Sequence, residues 1–170
     1  MLKVVRVGEP ERSMRVDSTE VAQRYWKAVI RRQPWFDNDK EQLIVLLLST
    51  RYEVQGYSLV SIGSVNETIA APREIFRAAV ATSCFAIVVL HNHPSGDPSP
   101  SEIDHSLTQR LVAAAEVLQI KLLDHVIVSK CSRIRQPLPK WKRARLSRKM
   151  RDAEAARKRG YFSFREACAL

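Results

Sequence analysis

The chain has 170 residues and a mass of 19.4 kDa, which fits one domain. Apolar residues make up 45% and charged residues 27%, a balance that argues against a largely disordered chain. The longest apolar runs have six residues, whereas a membrane-spanning helix needs about 20, and the first residues lack a signal-peptide pattern. We therefore expect a cytoplasmic protein with no membrane partner.

The net charge of +10 is confined to one segment. Residues 1–130 hold 15 Lys/Arg and 15 Asp/Glu, whereas residues 131–160 hold 12 Lys/Arg and two acidic residues. The excess charge therefore belongs to an appendage rather than to the core. Such a segment is typical of a surface that binds nucleic acid, of one that binds an acidic protein, or of a solvated helix with no partner. The charge alone does not distinguish these three alternatives.

The first half of the chain shows helices alternating with strands. Asp17 or Ser18 can cap the first helix, and Pro72 suits the first turn of the second. The continuous apolar run from residue 43 indicates a strand buried on both faces. In chain order we predict a helix over about 19–32, a strand opened by Glu41 and running to residue 50, a partner strand over 56–62, a helix over 72–83 with Val80 inward, and a strand over 85–90.

The second half begins with a loop rich in Pro, Ser, Gly and Asp. Ser99 and Glu102 are spaced as a capping box, so we expect a helix over about 100–119 with Ile103 and Leu118 among its inward side chains. Two strands and one more helix complete the pattern: a strand over 121–129, a basic helix over about 140–159 that ends at Gly160, and a short strand over 161–164. This order indicates an α/β sandwich around one mixed sheet.

Residues suited to chemistry gather where the 85–90 strand ends. His91 and His93 are two apart, so their side chains leave an extended backbone on the same face. Asp104 follows near the start of the capped helix, which the intervening loop can fold back over the strand end. Two imidazoles and one carboxylate make a three-ligand zinc site with a fourth position open to water. A hydrolase built on such a site also needs a carboxylate base outside the ligand set.

Each of these residues also has an ordinary structural explanation. A histidine pair in a loop is commonly polar surface, and an aspartate in a first helical turn favours the helix dipole. The three cysteines, Cys84, Cys131 and Cys168, are widely spaced, which excludes a disulfide framework and a cysteine zinc knuckle. The combination of the two histidines and the aspartate, with a serine between them, is what points to a site.

The segment HNHPSGDPSPSEID resembles the signature of the JAMM (MPN+/JAB) metallopeptidases: His-x-His, seven residues, Ser, two residues, Asp. Its flanks APREIFRAAV, LTQRL, LLDHVIV and YFSFREA resemble the RadC-like branch of that family. The resemblance covers about residues 39–128 and the last ten. It implies an MPN/JAB-type, cytidine-deaminase-like α–β sandwich over 37–170. The chain departs from the family pattern in its helical extension over 1–36 and in a basic helical insertion at about 131–160, where the family has a short connection.

The resemblance assigns roles residue by residue. His91, His93 and Asp104 would be the ligands of one Zn²⁺ per chain. Ser101 would hydrogen-bond the metal's water or support the oxyanion of the tetrahedral intermediate. Glu41 would act as general base and then as acid to the leaving amine.

Neighbouring polar residues receive other expectations. Asn92 points away from the two histidines and is expected to be structural. His105 faces about 100° away from its acidic neighbour on the helix, so we expect it at the surface. Asp124 and His125 are expected in packing or supporting roles rather than as ligands. Glu53 competes for the role of base, although its position in the hairpin loop favours a surface charge.

The implied activity is zinc-dependent hydrolysis of a peptide or isopeptide bond in a protein substrate, with a ubiquitin-like modifier or its conjugate as one candidate. The alternative is a nucleic-acid-binding RadC-like protein of DNA repair or of a mobile element, with secondary or no hydrolysis; a non-catalytic scaffold is a further one. Complete RadC proteins carry a helix-hairpin-helix domain where this chain has only the first helix, so we expect no DNA binding through that module. The basic insertion would instead supply the partner-binding residues Lys140, Lys142, Arg143, Arg145, Arg148 and Lys149.

Overall fold

The computed structural model describes residues 4–6, 14–63, 71–129, 152, 155–156, 159–167 and 170. In chain order these residues form β1 (Val4–Arg6), α1 (Thr19–Ala28), β2 (Glu41–Leu48), β3 (Val54–Gly63), α2 (Pro72–Thr82), β4 (Ala86–His93), α3 (Glu102–Leu118), β5 (Lys121–Ser129) and β6 (Tyr161–Ser163). The helix predicted over 19–32 is α-helical only to Ala28 and is followed by a short 3-10 turn, Ile30–Arg32. Among the described residues, no helix combines the length and apolar character needed to cross a membrane.

The described strands form one mixed sheet in the order β1-β3-β2-β4-β5-β6. β2 pairs antiparallel with both β3 and β4, whereas β4 and β5 run parallel and are joined through α3. A parallel pair needs a crossover connection, and the helix between the two strands supplies it. The predicted α/β sandwich around one mixed sheet is confirmed.

Helix α1 covers one face of the sheet. Its Tyr25 and Trp26 are buried in the same apolar cluster as Leu46 of β2 and Val88 of β4. Trp26 also packs edge-on against Phe36, with 5.8 Å between the ring centroids. These contacts bury the apolar stripe of the helix, which is where most of the stability of a short helix arises.

Helices α2 and α3 cover the other face. Leu43, Val45 and Leu47 of β2 point toward this side and share a cluster with Phe76 of α2 and Leu111 of α3. The side chains of residues 43–48 are at most 1% exposed. β2 is therefore buried on both faces, as its continuous apolar run predicts.

Three side chains predicted to face inward are exposed. Val80 of α2 is 55% exposed, and Ile103 and Leu118 of α3 are 44% and 42% exposed. Ala78 and Ala115 are buried in the core cluster instead. Helical periodicity indicates which residues share a face, but the partner surface decides how wide the buried face is.

Helix α3 begins two residues later than the spacing of Ser99 and Glu102 predicts. Its N-cap is Ser101, whose Oγ accepts from the backbone N–H of Asp104 at 3.2 Å, while the Ser101 N–H donates to Asp104 Oδ2 at 2.7 Å. The Ser99 hydroxyl donates instead to Asp97 Oδ1 in the preceding loop, at 2.6 Å. The capping box is therefore formed by Ser101 and Asp104, which places Asp104 in the first helical turn.

The end of the chain returns to the edge of the sheet as β6. Arg159 is helical and Gly160 follows at φ +77°, a left-handed conformation that suits glycine, so the predicted helix end is confirmed. The part of that helix predicted over 140–151 lies outside the described residues, as do Cys131 and Cys168. Cys84 is a buried free thiol whose pKa is raised by burial.

Candidate metal centre

Antiparallel pairing brings Glu41 next to the two histidines. Leu43 of β2 pairs with His91 of β4, and Glu41 lies two residues before Leu43 on the same face of the sheet. His93 is on that face as well, because β4 stays extended through this residue. The His91 Nε2 atom lies 3.7 Å from Glu41 Oε1 and 3.0 Å from His93 Nε2.

Asp104 reaches the histidines from the start of α3. Its Oδ1 is 3.1 Å from His91 Nε2, and its Oδ2 is 3.5 Å from His93 Nε2. The Ser101 hydroxyl donates to Asp104 Oδ2 at 2.6 Å and adds to the bond from the Ser101 backbone N–H. Burial alone would raise the pKa of Asp104, but hydrogen bonds and charge interactions with the histidines, together with Ser101, hold it well below its usual range. Asp104 is therefore a buried, ionised carboxylate.

A backbone carbonyl in the loop after β4 orients His93. The His93 Nδ1 atom is 2.8 Å from the carbonyl oxygen of Asp97. A carbonyl only accepts hydrogen bonds, so Nδ1 carries a hydrogen and Nε2 is the atom directed at Asp104. Burial acts to lower the pKa of His93, but the Asp104 carboxylate, the hydrogen bond with the Asp97 carbonyl and the charge of Glu41 together outweigh it, and the net shift is upward. The carboxylate thus favours positive charge at the centre of the group.

These four side chains form a group that can hold a metal ion. One ligand atom from each of Glu41, His91, His93 and Asp104 lies within 4.8 Å of the others. Two ligands about 2.0–2.1 Å from a tetrahedral zinc ion are separated by roughly 3.4 Å. The two histidine Nε2 atoms are 3.0 Å apart, and the Asp104 carboxylate approaches them at 3.1 Å through Oδ1 and at 3.5 Å through Oδ2, distances close to that value. Imidazole and carboxylate donors also suit zinc, so the residues present fit this ion.

Asn92 fixes the backbone around Glu41. It lies on the opposite face of β4 from the two histidines, as predicted, and is 3% exposed. Its Oδ1 accepts from the Gln42 N–H at 2.9 Å, and its Nδ2 donates to the Lys40 carbonyl at 2.9 Å. These two bonds hold the peptide groups on both sides of Glu41.

Two residues behind His91 extend the site. The Nε2 atom of the fully buried His125 is 2.9 Å from His91 Nδ1, and its Nδ1 is 2.7 Å from Thr108 Oγ1. Burial and the neighbouring His91 hold the pKa of His125 well below its ordinary value. The sequence indicates a supporting role for His125 but gives no such role to Thr108. The available signal was the position of Thr108 four residues after Asp104, on the same side of α3.

Asp124 and His105 lie outside this group. Asp124 accepts hydrogen bonds from the Ser163 hydroxyl and the Arg165 backbone N–H, which is the packing role predicted for it. The prediction that His105 is a surface residue is wrong. His105 is partly buried and packs edge-on against Phe164, with 5.1 Å between ring centroids, because the residues after β6 fold back over the start of α3.

Glu53, the other candidate for the base, is not near the group. Glu53 forms a β-bridge with Arg15 beyond the other end of β2, and an eight-residue strand places the two ends about 23 Å apart. The predicted partner-binding residues lie outside the described part of the chain: Lys140, Lys142, Arg143, Arg145, Arg148 and Lys149.

Together, the fold and the site define an α/β domain with a candidate metal group at the carboxyl end of β4, the strand that runs parallel to β5. Residues 16–135 match the family model described as the RadC-like JAB domain. The chain therefore belongs to the RadC-like JAB domain family, and its fold is of the JAB/MPN type that the sequence predicts.

Three similar curated proteins carry the name UPF0758 protein. The chain is 49% identical over 92 residues to the one from Trichlorobacter lovleyi, 44% over 92 residues to the one from Desulforamulus reducens, and 48% over 94 residues to the one from Chlorobium chlorochromatii. These matches cover 54–55% of this chain and 40–42% of the relatives. The chain therefore spans less than half the length of the curated relatives it matches.

Proposed function

We propose that this protein is a zinc-dependent hydrolase of peptide or isopeptide bonds. The convergence of Glu41, His91, His93 and Asp104 within 4.8 Å, in a domain of the RadC-like JAB family, carries the proposal. The two histidines and Asp104 would hold the ion. Bound zinc would supply the Lewis acidity that makes water nucleophilic near neutral pH and polarises a substrate carbonyl.

Glu41 is suited to transfer the proton. Its side chain is 21% exposed, whereas those of His91 and Asp104 are 1% and 5% exposed, so Glu41 is the carboxylate of the group that solvent reaches more readily. In the proposed reaction the Glu41 carboxylate takes a proton from the attacking water. It then gives this proton to the leaving amine as the carbon–nitrogen bond breaks. The bonds from Asn92 keep the backbone of Glu41 in place during both transfers.

Ser101 acts through Asp104 in this arrangement. Its single hydroxyl hydrogen is donated to Asp104 Oδ2 at 2.6 Å, so the serine orients the carboxylate that would hold the ion. Direct support of an oxyanion requires this hydroxyl to turn away from Asp104 toward the substrate.

The substrate class is inferred from the segment between His91 and Asp104, which resembles the signature of the JAMM metallopeptidases. We propose a protein substrate, and the C-terminal tail of a ubiquitin-like modifier is the candidate to test first. Glu41 and His93, whose side chains are 21% and 16% exposed, form the solvent-facing rim at which such a chain would enter.

A set of three variants tests the proposal. Wild-type protein should hold about one zinc per chain by mass spectrometry and should cleave a ubiquitin-like modifier fused through its C-terminal tail to a reporter peptide. Glu41→Gln should keep the zinc and lose turnover, because the amide cannot accept the proton. His93→Ala should lose both zinc and turnover.

Glu53→Gln is the matched control, since it makes the same chemical change beyond the far end of β2 and should leave zinc content and turnover unchanged. Turnover by Glu41→Gln at the wild-type rate would refute its role as base. Absence of zinc from reconstituted wild-type protein would refute the metal-dependent function.

The charge of residues 131–160 supports a second candidate, binding of nucleic acid. Twelve Lys/Arg against two acidic residues in this segment contrast with the neutral remainder of the chain. Filter binding of DNA and RNA at increasing salt tests it, because binding that neutralises phosphates weakens steeply as salt rises. A flat salt dependence would count against this candidate.

A further inference from the structure

A line of buried hydrogen bonds runs from the backbone of α3 to the ring of His91. The Thr108 hydroxyl is 2.7 Å from the carbonyl oxygen of Asp104 and 2.7 Å from His125 Nδ1. His125 Nε2 is in turn 2.9 Å from His91 Nδ1. The line begins at the main chain of Asp104 and ends on a second member of the metal group, so it connects α3 with β4 through a side chain of β5.

Donor and acceptor rules give this line a direction. Two oxygen atoms 2.7 Å apart repel unless a hydrogen lies between them, and the Asp104 carbonyl has none to give, so the Thr108 hydroxyl donates to it. That hydroxyl has a single hydrogen, so in its contact with His125 it accepts, and His125 Nδ1 carries the hydrogen. The Nε2 atom of neutral His125 then accepts from the Nδ1–H of His91.

We propose that Thr108 and His125 are positioning residues that place a hydrogen of His91 on Nδ1 and turn its Nε2 atom toward the position that a metal ion would take beside Asp104 and His93. The inference rests on the proposed metal site, because Nε2 is the His91 atom that would bind the ion. The reverse direction of the same line would put the hydrogen on Nε2 and block it. A hydrogen bond to the second nitrogen of a ligating histidine fixes its tautomer and its ring orientation in this way.

The two histidines of the group are held differently. His93 is oriented by a backbone carbonyl, whereas His91 depends on two side chains, and that dependence can be broken by substitution. Thr108→Val removes the hydroxyl at nearly constant shape, and Thr108→Ser keeps it. Thr82→Val is the matched control, since the Thr82 hydroxyl makes the same bond to a carbonyl four residues earlier, in α2, at 2.8 Å.

Two measurements test the proposal. Long-range ¹H–¹⁵N spectra report the tautomer of each of the four histidines, and zinc affinity is measured by chelator competition. In metal-free wild-type protein and in Thr108→Ser, His125 should carry its hydrogen on Nδ1. Thr108→Val should lose this tautomer and bind zinc about 10- to 100-fold more weakly, while Thr82→Val should match wild type.

A His125 hydrogen on Nε2 in the wild-type protein would overturn the proposal, as would wild-type zinc affinity in Thr108→Val. The tautomer measurement needs no metal and no variant, so it decides the direction of the line even if Thr108→Val fails to fold. If wild-type protein shows the expected tautomer but binds no zinc, the proposed hydrolase function fails, and the hydrogen-bonded line stands as a structural feature of the core.

Discussion

Asn92 is the residue that sets the position of the candidate base. Its side-chain amide donates to the Lys40 carbonyl and accepts from the Gln42 N–H, so one buried group holds the peptide units that flank Glu41. Both of these backbone groups lie where β2 begins, and a buried backbone group without a partner costs about 1–3 kcal/mol. The amide therefore serves the fold and the site together.

Asn92→Asp should separate these contributions. The carboxylate can still accept from Gln42, but it places an acceptor against the Lys40 carbonyl, so we expect a loss of about 1–3 kcal/mol in the free energy of unfolding. Displacement of Glu41 should lower turnover about 10- to 100-fold, since small errors in the position of a catalytic group are costly. Denaturant unfolding and reporter cleavage measure the two effects.

Asn38→Asp, the same change at an exposed position between Asp37 and Asp39, is the control and should alter neither quantity appreciably. Unchanged stability and turnover in Asn92→Asp would show that the strand ladder alone holds Glu41.

At the scale of elements, α3 connects the parts of the site. Its first turn presents Asp104, and its second turn presents Thr108 to His125. Its N-cap, Ser101, satisfies the Asp104 N–H and fixes the Asp104 carboxylate at the same time. The helix ends at its C-cap Gln119, which adopts a left-handed conformation with φ 53°. The chain then turns back into β5. The hydrogen bonds that stabilise the start of the helix therefore also hold the candidate ligand Asp104 in place.

Ser101→Ala should lower the free energy of unfolding by about 1 kcal/mol, because an orphan N–H of the first turn loses its acceptor. It should also weaken zinc binding, since the Asp104 carboxylate loses a hydrogen-bond donor. Ser18→Ala is the matched control: Ser18 is the N-cap of α1 but makes no side-chain capping bond there. Equal losses of stability in the two variants would contradict the assigned role of Ser101.

At the scale of the whole molecule, Asp124 ties distant parts of the chain together. It lies in β5 and accepts from the Thr19 hydroxyl at the start of α1, 105 residues earlier, at 2.8 Å. It also accepts from the Ser163 hydroxyl of β6 and from the Arg165 backbone N–H. Burial raises the pKa of Asp124, and these hydrogen bonds and the positive charge of Arg165 offset only part of that effect.

This upward shift predicts a pH dependence of stability. Between the ordinary pKa of an aspartate and the raised value, the folded protein binds a proton at Asp124 that the unfolded chain has released, so this group's contribution to stability falls as pH rises through that window. Asp124→Asn lacks the titration. Its stability relative to wild type should therefore increase from about pH 4 toward neutral pH.

Urea unfolding across this pH range measures the effect, and Asp39→Asn at an exposed position controls for the loss of one negative charge. Parallel pH profiles for wild type and Asp124→Asn would show that hydrogen bonding fully offsets the cost of burying the carboxylate.

The sequence by itself determined the features that depend on local spacing. The continuous apolar run of β2, the two-residue step from His91 to His93 and the glycine at the helix end are confirmed, because each depends on backbone geometry over a few residues. The family could also be predicted from the sequence, since its signature is contiguous in the chain. The pairing of Leu43 with His91 could not be predicted, since strand register is set by packing across the sheet.

The tertiary structure alone decided which distant residues meet. Register brought Glu41 rather than Glu53 beside the histidines, and the parallel pairing of β4 with β5 placed His125 behind His91. Tertiary packing also decided that Val80 is exposed. The physical reason is the same in each case: local periodicity fixes the direction of a side chain, whereas its partner depends on the crossovers and registers that only the assembled sheet selects.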